Sequence, residues 1–349
     1  MKTHNVGLIG FGLGGQIFHA PFIHLADHLH LATIKTSSPE NIKLAEKRYP
    51  EVTIAENNED VIKDESLDVI VISVPNHLHF DLCRSALLAG KHVVVDKPFT
   101  ISSTESETLI KLAEKVKKHI FVFQNRRLDS DFLTVKKLIN SKRLGKIVET
   151  EIHFDRYRPI PKESWKEQNT PGVGTHWDLG PHLIDQAVQL FGIPIKIWAD
   201  LKSQRPKGEI IDYFDIQLFY DGFKVILKAG SLVQGPVPRY KIHGEEATFI
   251  KYSMDIQEPT MVAGTFPKKN EPWVREPEEQ YGMLYTPEGS ETIPSETGHY
   301  IHFYNNVADT LNGVTSPLVM PQEAHHIIQL IELAIESNET GKVMPVDLK

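Results

Sequence analysis

The sequence predicts an α/β fold in two parts: a doubly wound domain with a parallel sheet, then a second α+β domain with a large open, mostly antiparallel sheet. Three observations carry this reading. Short apolar runs alternate with helical segments over the first ~125 residues, and a glycine-rich turn follows the first of those runs. After Gly145 the texture changes to longer segments in which apolar and polar residues alternate.

The run Val6-Gly-Leu-Ile-Gly10 has the continuous apolar character of a strand buried on both faces, and helix-compatible sequence continues from it to Ala26. Residues 31–35 then predict a strand, 42–49 a helix, 69–74 a strand, 80–89 a helix and 92–95 a strand. Residues 105–117 and 120–123 add a further helix and strand. Helical stretches of about ten residues between strands are βαβ crossovers. The first domain is therefore expected over residues 1–124 and the second over 125–349. In the second, 147–157, 195–201, 213–220 and 224–232 read as strands, with Asp221-Gly222 turning the last pair into a hairpin. Their alternation packs one face on helices and leaves the other free, so a homodimer or homotetramer through that sheet is expected. Residues 255–298, rich in Pro, Glu and Gly, predict a long loop or mobile excursion, and 301–311 and 323–337 predict two closing amphipathic helices.

Composition removes several classes of function. A chain of 349 residues suits two domains at about 150 residues each, and 40% hydrophobic with 24% charged residues is a globular balance. Lys and Arg number 38 against 46 Asp and Glu, so the net charge of -8 offers no surplus for a phosphate backbone. Nucleic acid is not an expected partner. No window reaches the ~20 apolar residues that cross a bilayer, so no membrane partner is expected either. The single cysteine, Cys83, has no disulfide partner and the N-terminus lacks secretory-signal features, which makes a cytoplasmic location the expectation.

Gly10-Phe11-Gly12-Leu-Gly-Gly15 fits G-x-G-x-x-G between the first strand and the first helix. Gly10 permits the tight turn, Gly12 lets the backbone approach a pyrophosphate, and Gly15 lets helix pack on strand. A plain glycine turn would explain the motif but not its place in a repeated βαβ domain, so a dinucleotide is the expected ligand. An NAD site places an acid about 20 residues on, at the end of the second strand. Here the chain reads Ile34-Lys35-Thr36-Ser37-Ser38, where hydroxyls and backbone N–H groups, with Lys35, Lys43 or Arg48, suit a 2′-phosphate. NADP is expected over NAD. The same serines suit a turn before Pro39 and a cap for the next helix, and the two roles are compatible.

Val74-Pro75-Asn76-His77-Leu-His79 leaves the third strand at the edge where open α/β sheets hold ligands, so Asn76 and His79 are candidate cofactor contacts. His77 and His79, two positions apart, do not make a zinc site, and His325-His326 reads as solvated surface on a terminal helix, so no metal is expected. The fourth strand ends in Val95-Asp96-Lys97-Pro98, placing Lys97 to hold an oxyanion or hydroxyl, although an isolated strand-end lysine is more often plain surface. A second constellation spans Gly172-Val-Gly-Thr-His-Trp-Asp178-Leu-Gly180-Pro181-His182-Leu-Ile-Asp185. Pro181 is tolerated only in a first turn, so a helix should begin near Asp178 and set Asp178 and His182 about one turn apart. Such a pair suits a general base. The alternative, Asp178 as an N-cap and His182 as a core histidine, stands level with it.

Taken together, these residues resemble the glucose-fructose oxidoreductase and inositol dehydrogenase family (Gfo/Idh/MocA). The resemblance spans nearly the whole chain: Gly10, Gly12 and Gly15, Val74-Pro75-Asn76 with His79, Asp96-Lys97-Pro98, and Asp178-x-Gly180-x-His182-x-x-Asp185. The family more often has Glu-Lys-Pro than Asp-Lys-Pro. A subgroup that includes NADP-dependent scyllo-inositol dehydrogenases is similar at Asp96 to Thr100, Asn125 to Phe132 and Phe154 to Arg156. The resemblance implies hydride transfer between nicotinamide and a secondary alcohol of a cyclic polyol or sugar. Lys97, Asp178 and His182 would be catalytic, and Val74, Pro75, Asn76 and Asn125 would be among the cofactor contacts. It also implies Asp155, Arg156, Tyr157 and Trp165 as polyol contacts, for which strand-edge ion pairs and core aromatics are an equal alternative. A rival function is a catalytically silent dinucleotide or sugar sensor on the same fold. Loss of the lysine or the histidine would favour it, and this chain keeps both. A cofactor-retaining hydrolase or lyase would carry the same motifs.

Overall fold

The computed structural model describes residues 1–206, 208–269, 271 and 273–348; of the 255–298 segment, Asn270 and Pro272 lie outside the described residues. Two compact units emerge. The first comprises Met1–Asn125 with Glu258–Trp273 and His299–His325; the second comprises Arg126–Gln257, Val274–Gly298 and the chain from His326 onwards. The expectation of two consecutive blocks therefore needs one amendment: two stretches of the later chain pack with the first unit.

In the first unit, β1 (His4–Ile9), β2 (Leu29–Lys35), β3 (Thr53–Ala55), β4 (Val69–Ile72), β5 (His92–Asp96) and β6 (Ile120–Phe123) form one sheet in the order β3-β2-β1-β4-β5-β6. Every pair is parallel. This is the order of a Rossmann sheet, whose ligand crevice opens beyond the strand ends where the winding reverses, here between β1 and β4. α1 (Ala20–Leu25), α2 (Pro39–Arg48), α3 (Asn58–Lys63), α4 (His79–Leu88) and α5 (Ser103–Val116) link the strands. Their starts are set locally: Ser38 and Ser102 each accept from a first-turn N–H, and Asn57 with Asp60 makes a capping box. The strands bury Ile9, Ile70, Ile72, Val93, Val95 and Val122 in one core, which fits their unbroken apolar runs. β3 and α3 have no sequence prediction, because three and six residues are too short for a periodicity to register.

The helix expected from the glycine turn to Ala26 is interrupted. Gly15–His19 winds as a wide turn in which the N–H of Ala20 reaches the Gly15 carbonyl, and regular α-helix starts only at Ala20. Pro21 lacks the N–H that would close the preceding α-turn, so the backbone widens there.

The second unit begins with α6 (Ser130–Asn140) and then adds β7 (Ile147–His153), α7 (Thr175–Asp178), α8 (Gly180–Phe191), β8 (Lys196–Lys202), β9 (Tyr213–Phe219), β10 (Lys224–Gly230), β11 (Tyr240–Gly244) and β12 (Thr248–Lys251). Further along the chain come α9 (Gln257–Val262), which from Glu258 belongs to the first unit, β13 (Gly282–Thr286) and β14 (Gly289–Ile293) of the second, α10 (Ile301–Leu311) of the first, and then α11 (Pro321–Thr340) and β15 (Met344–Pro345). The nine strands form one sheet, β14-β13-β12-β11-β7-β10-β9-β8-β15. Only β7 and β10, separated by α7 and α8, pair in parallel. Phe214, Ile216 and Leu218 of β9 are buried while the residues between them are half-buried, which is the expected alternation. The buried face packs with Leu183, Ile184, Ile328 and Ile331 of α8 and α11 in one core. The long loop expected over 255–298 is overturned in part, since its hairpin extends this sheet at the β12 edge.

Candidate active site

The glycine turn shows each role its spacing asks for. Gly10 has φ of 99°, and a Cβ there would stand 2.0 Å from the Ser73 carbonyl oxygen. A Cβ on Gly15 would meet the Gly10 carbonyl at 2.2 Å, so both positions admit only glycine. At Gly12 a Cβ would meet nothing within 4 Å, the open side on which a backbone can receive a pyrophosphate. Phe11 is buried edge-on to Tyr49, and Gln16 Nε2 donates to its carbonyl at 2.8 Å, which braces the turn. This geometry fits a dinucleotide.

At the end of β2, Thr36 is buried, Ser37 exposed and Ser38 the cap of α2, accepting from Asn41 N at 3.4 Å. Lys35 Nζ donates to Ser37 Oγ at 3.0 Å. Beyond β4, Val74 and Pro75 lead into a short turn, Asn76–Leu78, and Asn125 opens another after β6. His79 differs from its expectation as a cofactor contact. It is fully buried, with Nδ1 2.8 Å from the Pro98 carbonyl and Nε2 3.0 Å from the Val74 carbonyl. Its polar atoms are engaged in tying two loops of the ligand edge together, and burial lowers its pKa.

Lys97 follows the tip of β5 and is half-buried, with a cis peptide to Pro98. The residue before it is more tightly held. Asp96 Oδ2 accepts from Ser73 Oγ at 2.7 Å, and Asp96 Oδ1 lies 2.9 Å from Nε2 of His19. Burial pushes the Asp96 carboxyl up, but the His19 charge and the hydrogen bonds from His19 and Ser73 prevail and bring it down to about 2. His19 and Ser73 escaped the sequence reading, because nothing local marks a buried histidine four residues past the glycine turn.

The second constellation lies in the second unit. α7 ends at Asp178 and α8 starts at Gly180 with Pro181 in its first turn, so the helix begins two residues later than expected and Leu179, not Asp178, is its cap. Asp178 accepts from Lys166 Nζ at 2.8 Å, a partner twelve residues upstream that the sequence did not suggest. His182 is buried, and Asp185 receives Arg127 in a two-pronged pair at 2.9 and 2.6 Å. Gln186 accepts from Arg239 at 2.8 Å and Tyr240 at 2.9 Å, which further fixes the helix carrying His182. Two residues before Asp178, His176 is held neutral, with burial pushing it down to about 4. Asp155 pairs with His153 Nδ1 at 2.9 Å, and the Arg156 guanidinium lies 4.6 Å over the Phe154 ring. Tyr157 is exposed and Trp165 half-buried on the turn Trp165–Glu167. His325, expected on the surface, is instead buried and 2.7 Å from Ser106 Oγ. Among the described residues no cluster of three or more His, Cys, Asp or Glu is arranged for a metal, and no helix is long and apolar enough to cross a membrane.

Comparison with known proteins agrees with this architecture. Residues 4–124 match the oxidoreductase family NAD-binding Rossmann fold, and residues 136–348 match the oxidoreductase family C-terminal alpha/beta domain. The chain is 36% identical to scyllo-inositol 2-dehydrogenase (NADP(+)) IolW of Bacillus subtilis, over 99% of this chain and 97% of that protein. It is 40% identical to the oxidoreductase YdgJ of Escherichia coli, over 95% of each. Among solved structures, the oxidoreductase yvaA of Bacillus subtilis superposes with a TM-score of 0.94 at 34% identity, over 99% of both chains. A Yersinia pestis oxidoreductase gives a TM-score of 0.93 at 36% identity, over 100% of this chain and 98% of that one. The chain belongs to the Gfo/Idh/MocA oxidoreductase family, and its first unit is a nicotinamide-dinucleotide-binding domain.

Proposed function

We propose that this protein is an NADP(H)-dependent dehydrogenase that interconverts a secondary alcohol of a cyclic polyol, an inositol foremost, with the corresponding ketone. The observation that carries the cofactor assignment is the end of β2. A carboxylate there would accept from a ribose 2′-hydroxyl and repel a 2′-phosphate, whereas Lys35 bonded to Ser37 Oγ presents a cation and hydroxyls. The substrate assignment draws on the similarity to the Bacillus subtilis scyllo-inositol dehydrogenase, together with Asp155, Arg156, Tyr157 and Trp165 as hydroxyl and stacking groups.

The glycine turn would hold the pyrophosphate, and the nicotinamide would supply the hydride acceptor or donor. His182 takes the hydroxyl proton, Lys97 stabilises the negative charge that develops on that oxygen, and Asp178 favours the protonated imidazole. In the ketone-reducing direction His182 returns the proton. Lys166 beside Asp178 tempers the carboxylate charge, though both side chains are solvent-accessible and the pair adds at most about 1 kcal/mol to stability.

Absorbance in the reduced-nicotinamide band, with NADP or NAD against scyllo-inositol, myo-inositol, glucose and other aldoses, tests the proposal. NADPH formation with an inositol and not with aldoses is the expected result. Turnover with aldoses alone, or with NAD in preference to NADP, would overturn the substrate or the cofactor assignment respectively.

A further inference from the structure

A chain of polar groups, buried at Tyr304 and His19 and half-buried at Asp96 and Ser73, runs through the first unit to the residue beside Lys97. Tyr304 Oη of α10 lies 2.5 Å from Nδ1 of His19, His19 Nε2 lies 2.9 Å from Asp96 Oδ1, and Ser73 Oγ donates to Asp96 Oδ2 at 2.7 Å. His19 is 0% exposed and sits among aromatic rings, with Phe123 at 4.7 Å. Stability alone does not account for this arrangement. An apolar side chain would pack among those rings without desolvating a carboxylate, and replacing buried ionic pairs by apolar groups is often neutral or stabilising. The placement is also specific: the widened turn Gly15–His19 brings the imidazole to the C-terminal end of β5, the ligand edge of the sheet. A Cβ on Gly14 would fall 2.7 Å from Ser73 Oγ and 3.4 Å from Asp96 Oδ2, so the Asp96 carboxylate also abuts the glycine turn.

We infer that His19, held between Tyr304 and Asp96, is a positioning residue for Lys97: it fixes the ionised carboxylate that anchors the tip of β5 and thereby sets the place and charge environment of the lysine. This rests on the reading of Lys97 as catalytic. Both ring nitrogens of His19 have a partner, Nε2 facing Asp96 Oδ1 and Nδ1 facing Tyr304 Oη. The groups facing Asp96 are His19 from the widened turn, Ser73 after β4, His79 from α4 and, behind His19, Tyr304 from α10. Lys97 is next in the chain. If His19 is removed, burial still raises the Asp96 carboxyl while its main opposing partner is gone, so Asp96 protonates at higher pH.

The test is a pH profile of kcat and kcat/KM for the full-length protein oxidising scyllo-inositol with NADP, alongside NADPH affinity from fluorescence. His19→Leu is expected to lose about 10- to 100-fold in kcat, keep its NADPH Kd within about threefold, and move the acid limb of the profile upward. His19→Gln, which keeps an amide N–H for Asp96, should recover much of the rate. An unchanged rate and profile in a folded His19→Leu would overturn the inference. Should that variant not fold, Tyr304→Phe decides: a several-fold loss with an upward acid limb supports it, and a wild-type profile overturns it. Lys97→Ala, run in parallel, separates the two readings. If Lys97→Ala still turns over, the catalytic assignment of Lys97 fails; if it is inactive while the His19 variants behave as wild type, only the positioning role fails.

Discussion

A carbonyl oxygen 2.0 Å from where a Gly10 Cβ would stand is reason enough for glycine there, and it is a reason the spacing of three glycines already implied. Other residues were legible only in type. Lys97 was marked as a strand-tip lysine; the hydrogen bonds that grip its neighbour Asp96 come from residues 73 and 19, which no local pattern links to it. Lys97→Ala is expected to lower kcat by about 10²- to 10³-fold, the scale for removing one donor to a developing oxyanion, while NADP binding measured by fluorescence is largely retained. Undiminished turnover would remove Lys97 from the mechanism. Ser37→Asp places a carboxylate beside the proposed 2′-phosphate and should weaken NADP by about tenfold, roughly 1.4 kcal/mol, with a smaller change for NAD. Equal losses of both cofactors in a titration would count against the phosphate pocket.

Whole elements were predicted best where periodicity or capping chemistry is strong. The fully buried strands β4 and β6 and the buried centre of β5 announced themselves as apolar runs, and Ser38 marked the start of α2. The hairpin of β13 and β14 did not, because its segment is fastened by charges instead of an apolar stripe. Lys251 Nζ donates to Glu276 at 2.7 Å, to the Gln280 carbonyl at 2.7 Å and to Ser295 at 3.3 Å, and neither member of the ion pair is exposed. Breaking one side of such a pair leaves a buried charge, so Lys251→Met should cost about 3–5 kcal/mol in urea unfolding. Lys251→Met combined with Glu276→Leu should cost clearly less; equal losses would show that packing and not charge pairing fastens the segment.

For the molecule as a whole, acid sensitivity follows from histidines buried in neutral form. Burial depresses His176 to about 4 from its ordinary 6.5, and burial with the nearby Lys118 charge depresses His92 to about 3. As pH falls below 6.5 the unfolded chain takes up these protons and the folded chain does not, so stability declines through the window from 6.5 to 4. His176 alone should account for about 2 kcal/mol between about pH 7.5 and pH 5, and His176→Phe should flatten that part of a urea-unfolding profile. An identical decline in the variant would reassign the acid sensitivity. Asp96 acts in the same direction at lower pH, contributing stability that is lost as pH falls from the ordinary carboxyl value of 3.8 toward 2. The open face of the nine-stranded sheet aligns Trp198, Gln217, Ile226, Glu151, Lys241 and Ile250 across six strands, all half-buried. We propose it as the self-association surface; sedimentation should show a dimer or larger species, and Ile226→Lys should shift it toward monomer, whereas a monomeric wild type would refute this.

The sequence by itself determined the doubly wound first domain, the glycine turn and the alternating strands of the second, since each depends on residues within a few positions of one another. Only the tertiary structure decided that segments 258–273 and 299–325 return to the first unit, that β7 and β10 run parallel, and which residues satisfy Asp96, Asp185 and Lys251. A buried charge must find a partner wherever the chain supplies one. Those partners stand between 23 and 77 positions away for Asp96 and 58 away for Asp185, far beyond the reach of any local pattern.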